Sequence, residues 1–293
     1  MPFIPVSDAF VPAVGRRQAL GLGLGLAATA MMAAPAQASV GKRLLDPANP
    51  DDARLIYRKL RYRTDSGLLF SWIKGPYMAA IAGDLIPMYA INLGSFQRVT
   101  QHADGSFDLV DLEISFRTDV DTGERLSSFR NPVTGETVPV VARPQGPNRL
   151  HVSRENEIQI SDLPGGPHFD HVHYPVRPFI SGRDMVIRDR SHARVTAADG
   201  GISMLNEVST ISAPAAIVLD PATTSVETRV QSNDVRSWPA WLNMGDRPGH
   251  LALFGNGGKV KRFEDLPGDW LQMLKEVFPA IAADPIAALD RKI

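Results

Sequence analysis

The chain has no cysteine among its 293 residues. That excludes disulfide staples, thiolate metal sites, thiol nucleophiles and iron–sulfur ligation together, so stability has to come from an ordinary apolar core. Charge imbalance is missing too. With 31 basic against 32 acidic side chains there is no electrostatic case for nucleic acid or an anionic membrane surface as partner. Several familiar chemistries lack their signatures: no Gly-x-Ser-x-Gly elbow, no Gly-x-x-x-x-Gly-Lys phosphate loop, no Gly-x-Gly-x-x-Gly after a strand, no His-Glu-x-x-His. Gly255-Asn256-Gly257-Gly258-Lys259 has neither the phosphate-loop spacing nor the following Ser or Thr, and reads as a hairpin turn between 251–254 and 260–263. Long apolar runs are scarce. The stretch 18–34 is broken by Gly21, Gly23 and Gly25 and falls short of the ~20 apolar residues a membrane-spanning helix needs.

What is present at the start is the pattern of an export signal. Arg16-Arg17 precede the short apolar stretch, and Ala36-Gln37-Ala38 places small residues before a cut ahead of Ser39. The arginine pair indicates the twin-arginine route, while Gly15 and Ala19 on either side of it leave general secretory export as the alternative. We therefore expect residues 1–38 to be removed by the export machinery. The mature chain, 39–293, is then expected in the periplasm with no stable membrane anchor, as one β-rich domain.

Turn signals dominate that chain. Asp65-Ser66-Gly67, Asp104-Gly105-Ser106, Asp121-Thr122-Gly123-Glu124, Val133-Thr134-Gly135-Glu136 and Asp199-Gly200-Gly201 each place Gly where a tight turn needs positive φ. Between them, Val110, Leu112, Ile114 and Phe116 alternate with Asp111, Glu113, Ser115 and Arg117, the period of a half-buried strand with one face to the core and one to water. Val226, Thr228 and Val230 alternate with Glu227, Arg229 and Gln231 in the same way. The two Thr-Gly-Glu turns lie too close together for a βαβ crossover, which favours an antiparallel meander. Helices are expected in three places: after Asn49-Pro50-Asp51-Asp52, over 267–278, and over 284–290 with Asp284 as cap and Pro285 at the first helical position. The expected fold is mainly β, an antiparallel β-barrel-like (lipocalin-like) domain with C-terminal helices.

Three groups of residues are candidates for chemistry. His168, His171 and His173 lie within six positions, and a His-x-His on a strand puts both imidazoles on one face. The third His, reached from the Gly165-Gly166-Pro167 loop, would complete a facial set for a divalent transition metal such as zinc or iron, although no Glu follows at the cupin spacing. Without metal, His171 and His173 suit acid–base work, with Asp170 or His192 as partner. Arg183, Arg188, Arg190 and Arg194 offer guanidinium forks for an anion, but interleaved Asp184 and Asp189 make a solvated face of ion pairs the simpler reading. Arg183 is the member retained as a ligand contact. Trp238, Trp241, Met244 and His250, in a Pro/Gly-punctuated segment, suit one wall of an apolar pocket, with Trp72 and Tyr77 opposite; closing a barrel end by packing is the alternative role.

The Pro50-Asp-Asp-Ala-Arg-Leu opening with the 57–62 segment, the Thr-Gly-Glu turns around Asn131-Pro132, Trp238-Pro-x-Trp241 with Met244-Gly245, and Gly257-Gly258-Lys259 resemble bacterial domain-of-unknown-function family 1838. The resemblance spans about residues 46–290. It implies a single bacterial domain, often exported, and carries no activity or catalytic residues with it. Our functional expectation is a domain that binds a small apolar or aromatic compound. In an enzymatic version it transforms that compound by non-redox proton transfer, as a lyase, isomerase or hydrolase. The alternatives are a lipocalin-like carrier and a structural envelope protein.

Overall fold

The computed structural model describes residues 43–160, 168–174, 176–196 and 201–290. The export signal expected at 1–38, the Gly165-Gly166-Pro167 loop and most of the Asp199-Gly200-Gly201 turn lie outside the described residues. Asn49 starts the first helix, α1 (Pro50–Arg61), by accepting hydrogen bonds from the backbone N–H of Asp51 (2.9 Å) and Asp52 (3.2 Å). Asp51 and Asp52 at its start and Arg58, Lys59 and Arg61 at its end complement the helix dipole.

Among the described residues thirteen strands follow: β1 (Gly67–Ile81), β2 (Asp84–Gln101), β3 (Phe107–Thr118), β4 (Ser128–Arg130), β5 (Thr137–Pro139), β6 (Pro144–Val152), β7 (Ile158–Ile160), β8 (His168–His173), β9 (Phe179–Ser181), β10 (Asp184–Thr196), β11 (Ile202–Pro214), β12 (Thr228–Arg236) and β13 (His250–Val260). Short helix α2 (Ala215–Val218) leaves β11, and α3 (Gly268–Val277), α4 (Pro279–Ala283) and α5 (Pro285–Ala288) end the fold. The antiparallel sheet runs β7-β6-β3-β2-β1-β13-β12-β11-β10-β8, with β9 added on β10. Its end strands β7 and β8 lie against each other, so the sheet curls into a nearly closed barrel. The second Thr-Gly-Glu turn makes the separate β4–β5 hairpin.

No hairpin turn forms at Gly255–Lys259. The segment is the middle of the continuous strand β13, and its glycines serve close approach: a Cβ on Gly257 would fall on the Trp72 carbonyl oxygen, and one on Gly75 on that of Phe254.

Apolar packing has three parts. Ile56, Tyr57 and Leu60 of α1 pack among inward residues from both sides of the barrel, including Leu69, Val99, Phe107, Met185, Ile187 and Ile211, so α1 plugs one end. The other end is filled by Tyr77, Tyr89, Phe129, Leu242, Met244 and Leu251. The C-terminal helices cover the outside. Trp270 is fully buried against Phe96, Ile114 and Phe116, and donates from its indole nitrogen to the Ile114 carbonyl at 3.0 Å.

Along β3 this inverts the expectation. The apolar face of Val110, Leu112, Ile114 and Phe116 lies beneath the helices, and the polar face of Asp111, Glu113, Ser115 and Arg117 points into the barrel instead of to water. From Val226, just before β12, the inward row continues along the strand through Thr228 to Ser232, Asp234 and Arg236. The lumen is therefore apolar under α1 and polar at mid-height.

Candidate functional site

The lumen collects charges from strands that are not neighbours. Asp111 accepts hydrogen bonds from Ser95 Oγ (2.8 Å) and Gln97 Nε2 (2.9 Å) of β2. Its carboxyl is raised, chiefly by burial, against the pull of those two donors. Glu113, two residues on, is pushed up to about 8: burial is the main cause, the charges of Asp111 and Glu207 add to it, and Arg61 and Arg236 oppose it. Glu207 stands on β11, four strands beyond β2 in the sheet, and accepts from Ser209 Oγ (2.6 Å) and Ser232 Oγ (3.0 Å).

Arg61, at the end of α1, reaches into this space. Its guanidinium lies 3.3 Å from Asp189, and its charge acts on Asp111, Glu113, Glu207, Asp189 and Lys259, which stand on β3, β11, β10 and β13. The side chain nevertheless keeps 39% of its surface accessible. Burial alone would lower the Arg61 pKa, but Tyr62, Asp189, Glu207 and Tyr57 reverse that and raise it.

Toward the α1 end, buried Asp189 hydrogen-bonds Nε2 of His173, and the Tyr57 hydroxyl lies 3.2 Å from the same nitrogen and 3.4 Å from the Asp189 carboxylate. Burial would raise the Asp189 carboxyl, but the His173 hydrogen bond and the Arg61 charge hold it below the usual carboxylate range. Beside it, His171 has its pKa lowered by burial and by His173, and its buried Nδ1 has no hydrogen-bond partner among the described residues. Toward the other end, Tyr77 donates to Asp234 (3.1 Å), Arg236 pairs with Asp234, and the Arg236 guanidinium sits 5.1 Å from the Tyr77 ring centre. Burial pushes the Tyr77 phenol well up.

Two clefts touch this network. One of about 490 Å³ is bordered by Tyr57, His173, Arg54 and Arg177. The other, about 380 Å³, is bordered by Ser115, Arg117, Arg143 and Trp241, and Ser115 and Arg117 continue the Glu113 face of β3 into it.

Of the histidines expected to converge, two do. His171 and His173 share the lumen face of β8, whereas strand alternation turns His168 outward, where it meets exposed Asp170 at 3.1 Å. The facial metal set of His168, His171 and His173 is therefore not assembled, and Asp189 replaces Asp170 as the carboxylate beside a lumen histidine. His192 also misses that role, sitting instead 2.7 Å from Asn206. Tyr77 lines the lumen, but Trp72 lies on the outer face of β1 against the C-terminal helices. Trp238 donates to the Arg247 carbonyl (3.0 Å), Met244 is buried, and Trp241 packs on Tyr89 with Arg117 over its ring, so this segment fills the barrel end and offers only the Trp241 edge to a cleft. His250 sits on the face of β13 opposite Leu251 and Leu253. Arg183 is exposed in the turn before β10. Arg188, Arg190 and Arg194 form the solvated face, while Asp189 between them points inward.

Glu113, Glu207, Arg61, Arg236 and Asp189 escaped sequence reasoning. The one legible signal was the alternating acidic and basic face of β3, and alternation alone does not say which face turns in.

The fold and the lumen define a nearly closed antiparallel β-barrel with a charged interior and a helical plug. The chain belongs to the family described as protein of unknown function (DUF1838), whose model matches residues 66–180 and 183–292. No curated protein and no solved structure gives a significant match.

Proposed function

We propose that the protein is an exported periplasmic enzyme whose lumen takes a small molecule with an anionic group and an apolar or aromatic body, and moves a proton on it. The observation that carries this reading is Glu113, whose carboxyl titrates at about 8 within reach of the Arg61 and Arg236 charges. A group poised near the working pH is populated in both protonation states, the condition for general acid–base catalysis. Guanidinium forks suit a carboxylate or phosphate on the ligand. His171, whose pKa burial lowers toward the neutral ring, has a buried Nδ1 without a hydrogen-bond partner among the described residues, and it is the candidate for the second proton. Asp189 and Tyr57 fix the ring of His173 beside it. Trp241, which borders the cleft together with Arg117, supplies aromatic surface for the body of the ligand. The reaction class is lyase, isomerase or hydrolase.

Support for export is the Arg16-Arg17 pair ahead of the short apolar stretch and Ala36-Gln37-Ala38 ahead of Ser39. Cell fractionation with N-terminal sequencing tests it: a periplasmic chain starting at Ser39 is expected, and an uncleaved cytoplasmic chain contradicts it. The activity is tested by incubating the purified chain with small aromatic and aliphatic carboxylates in D2O and following ligand binding and deuterium wash-in or turnover. Binding with exchange or turnover that Glu113→Gln abolishes is expected. Tight binding without either points to the lipocalin-like carrier, and absence of binding removes both readings.

A further inference from the structure

We propose that His102, Asp108 and His151 form a divalent transition-metal site on the outside of the barrel, separate from the lumen. Asp108 of β3 is the direct cross-strand partner of His151 of β6, which puts both side chains on one face of the sheet. His102 follows the last residue of β2, and its turn is closed by hydrogen bonds from His102 N to the Ser106 carbonyl (2.9 Å) and from Gly105 N to the His102 carbonyl (3.1 Å). All three donors therefore hang from ladder or turn positions with little backbone freedom.

The donor atoms converge. His102 Nε2 lies 3.0 Å from Asp108 Oδ2, His151 Nδ1 lies 2.8 Å from Asp108 Oδ1, and the three ligand atoms are all within 4.8 Å of one another. Ligand bonds of about 2.0–2.2 Å in a tetrahedral zinc site put neighbouring donors roughly 3.3–3.5 Å apart. Small rotations of the two rings and the carboxylate reach that spacing. The two imidazole rings are 6.1 Å apart, centre to centre, leaving room between them. Two neutral nitrogens and one carboxylate oxygen are a borderline donor set that suits Zn2+, and the half-exposed position leaves the fourth place to water.

The site has a structural use. The carbonyl of Gly105, in the His102 turn, accepts from Arg58 Nη1 of α1 (2.6 Å), and Ser153, two residues after His151, accepts from Arg58 Nη2 (2.9 Å). An ion tying the turn to β6 would brace the rim on which the plug helix is seated.

The test is zinc titration of the tag-free, chelator-treated full chain by calorimetry, with Co2+ absorption reporting geometry. One ion per chain with micromolar or tighter affinity is expected, with intense tetrahedral cobalt bands and a raised melting temperature. Asp108→Asn, which keeps the side-chain shape and removes the carboxylate, and His151→Ala should each weaken binding at least tenfold, as even the loss of an outer-shell partner does. Wild-type protein that binds no stoichiometric zinc at 100 µM overturns the proposal, whatever the folding of the variants. Zinc binding unchanged in both variants but lost in His171→Ala also overturns it, by placing the ion in the lumen.

Discussion

Asp111 and Glu113 stand two residues apart on the lumen face of β3, and both carboxyls are pushed toward the protonated form. They differ in their partners. Asp111 is held by Ser95 and Gln97, whereas Glu113 feels two neighbouring carboxylates and two arginines across the lumen. That difference makes Glu113 the group free to exchange a proton.

Folding stability should carry the signature of Glu113. The folded pKa, about 8, lies above the ordinary value of 4.5, so the folded state holds the proton more tightly across that window. Stability contributed by the protonated form is complete below about 4.5 and is lost as pH rises through 8. Glu113→Gln should therefore gain on the wild type between pH 5 and pH 9, ending more stable by about 1–3 kcal/mol. Urea denaturation at pH 5, 7 and 9 reads this, and parallel curves for the two proteins would count against it.

Asp189 should act in the opposite sense on acidification. Its carboxyl is held low, so its contribution is present above the ordinary carboxylate range and lost as pH falls through its folded value. Asp189→Ala leaves the Arg61 guanidinium and the His173 ring without their shared partner, and should cost about 3–5 kcal/mol at pH 7. Thermal melts of the variant from pH 3 to pH 7 should show a shallower acid-side slope than the wild type, because Asp52 and other carboxyls held low still contribute.

Outside the barrel, the decisive contact is Trp270 on the strand backbone. A Cβ on Gly94 would fall within the indole ring, so Gly94→Ala should displace the helix by the same route as Trp270→Ala. The cost of Trp270→Ala is about 3–5 kcal/mol, since a fully buried aromatic is lost and the Ile114 carbonyl is left without its donor. Paired denaturation curves check both, and a Gly94→Ala protein as stable as wild type would contradict this packing.

Local rules found much of the fold in the sequence. Asn49, Pro50 and the acidic first turn placed α1, Asp284 and Pro285 placed α5, and the alternation of 110–117 placed β3. Sheet closure was beyond local rules. Whether the polar face of β3 meets solvent or lumen depends on helices some 150 residues later that cover the apolar face, as Trp270 over Ile114 shows. The glycines of β13 have the local pattern of a turn, but what requires them is close approach to β1, remote in sequence. His171 and His173 were legible as a same-face pair, but their partner Asp189 was hidden among surface arginines. Arg61 carries no local sign of the lumen it reaches, since its acidic neighbours come from distant strands.

Burial and the Asp111 and Glu207 charges hold the Glu113 carboxyl toward its protonated form near neutral pH. Carbon-13 NMR titration of the side-chain carboxyls in glutamate-labelled protein, with Glu113→Gln to assign the resonance, measures this directly. A Glu113 midpoint near 8 is expected, and a midpoint near the ordinary 4.5 would rule out a protonated Glu113 at neutral pH.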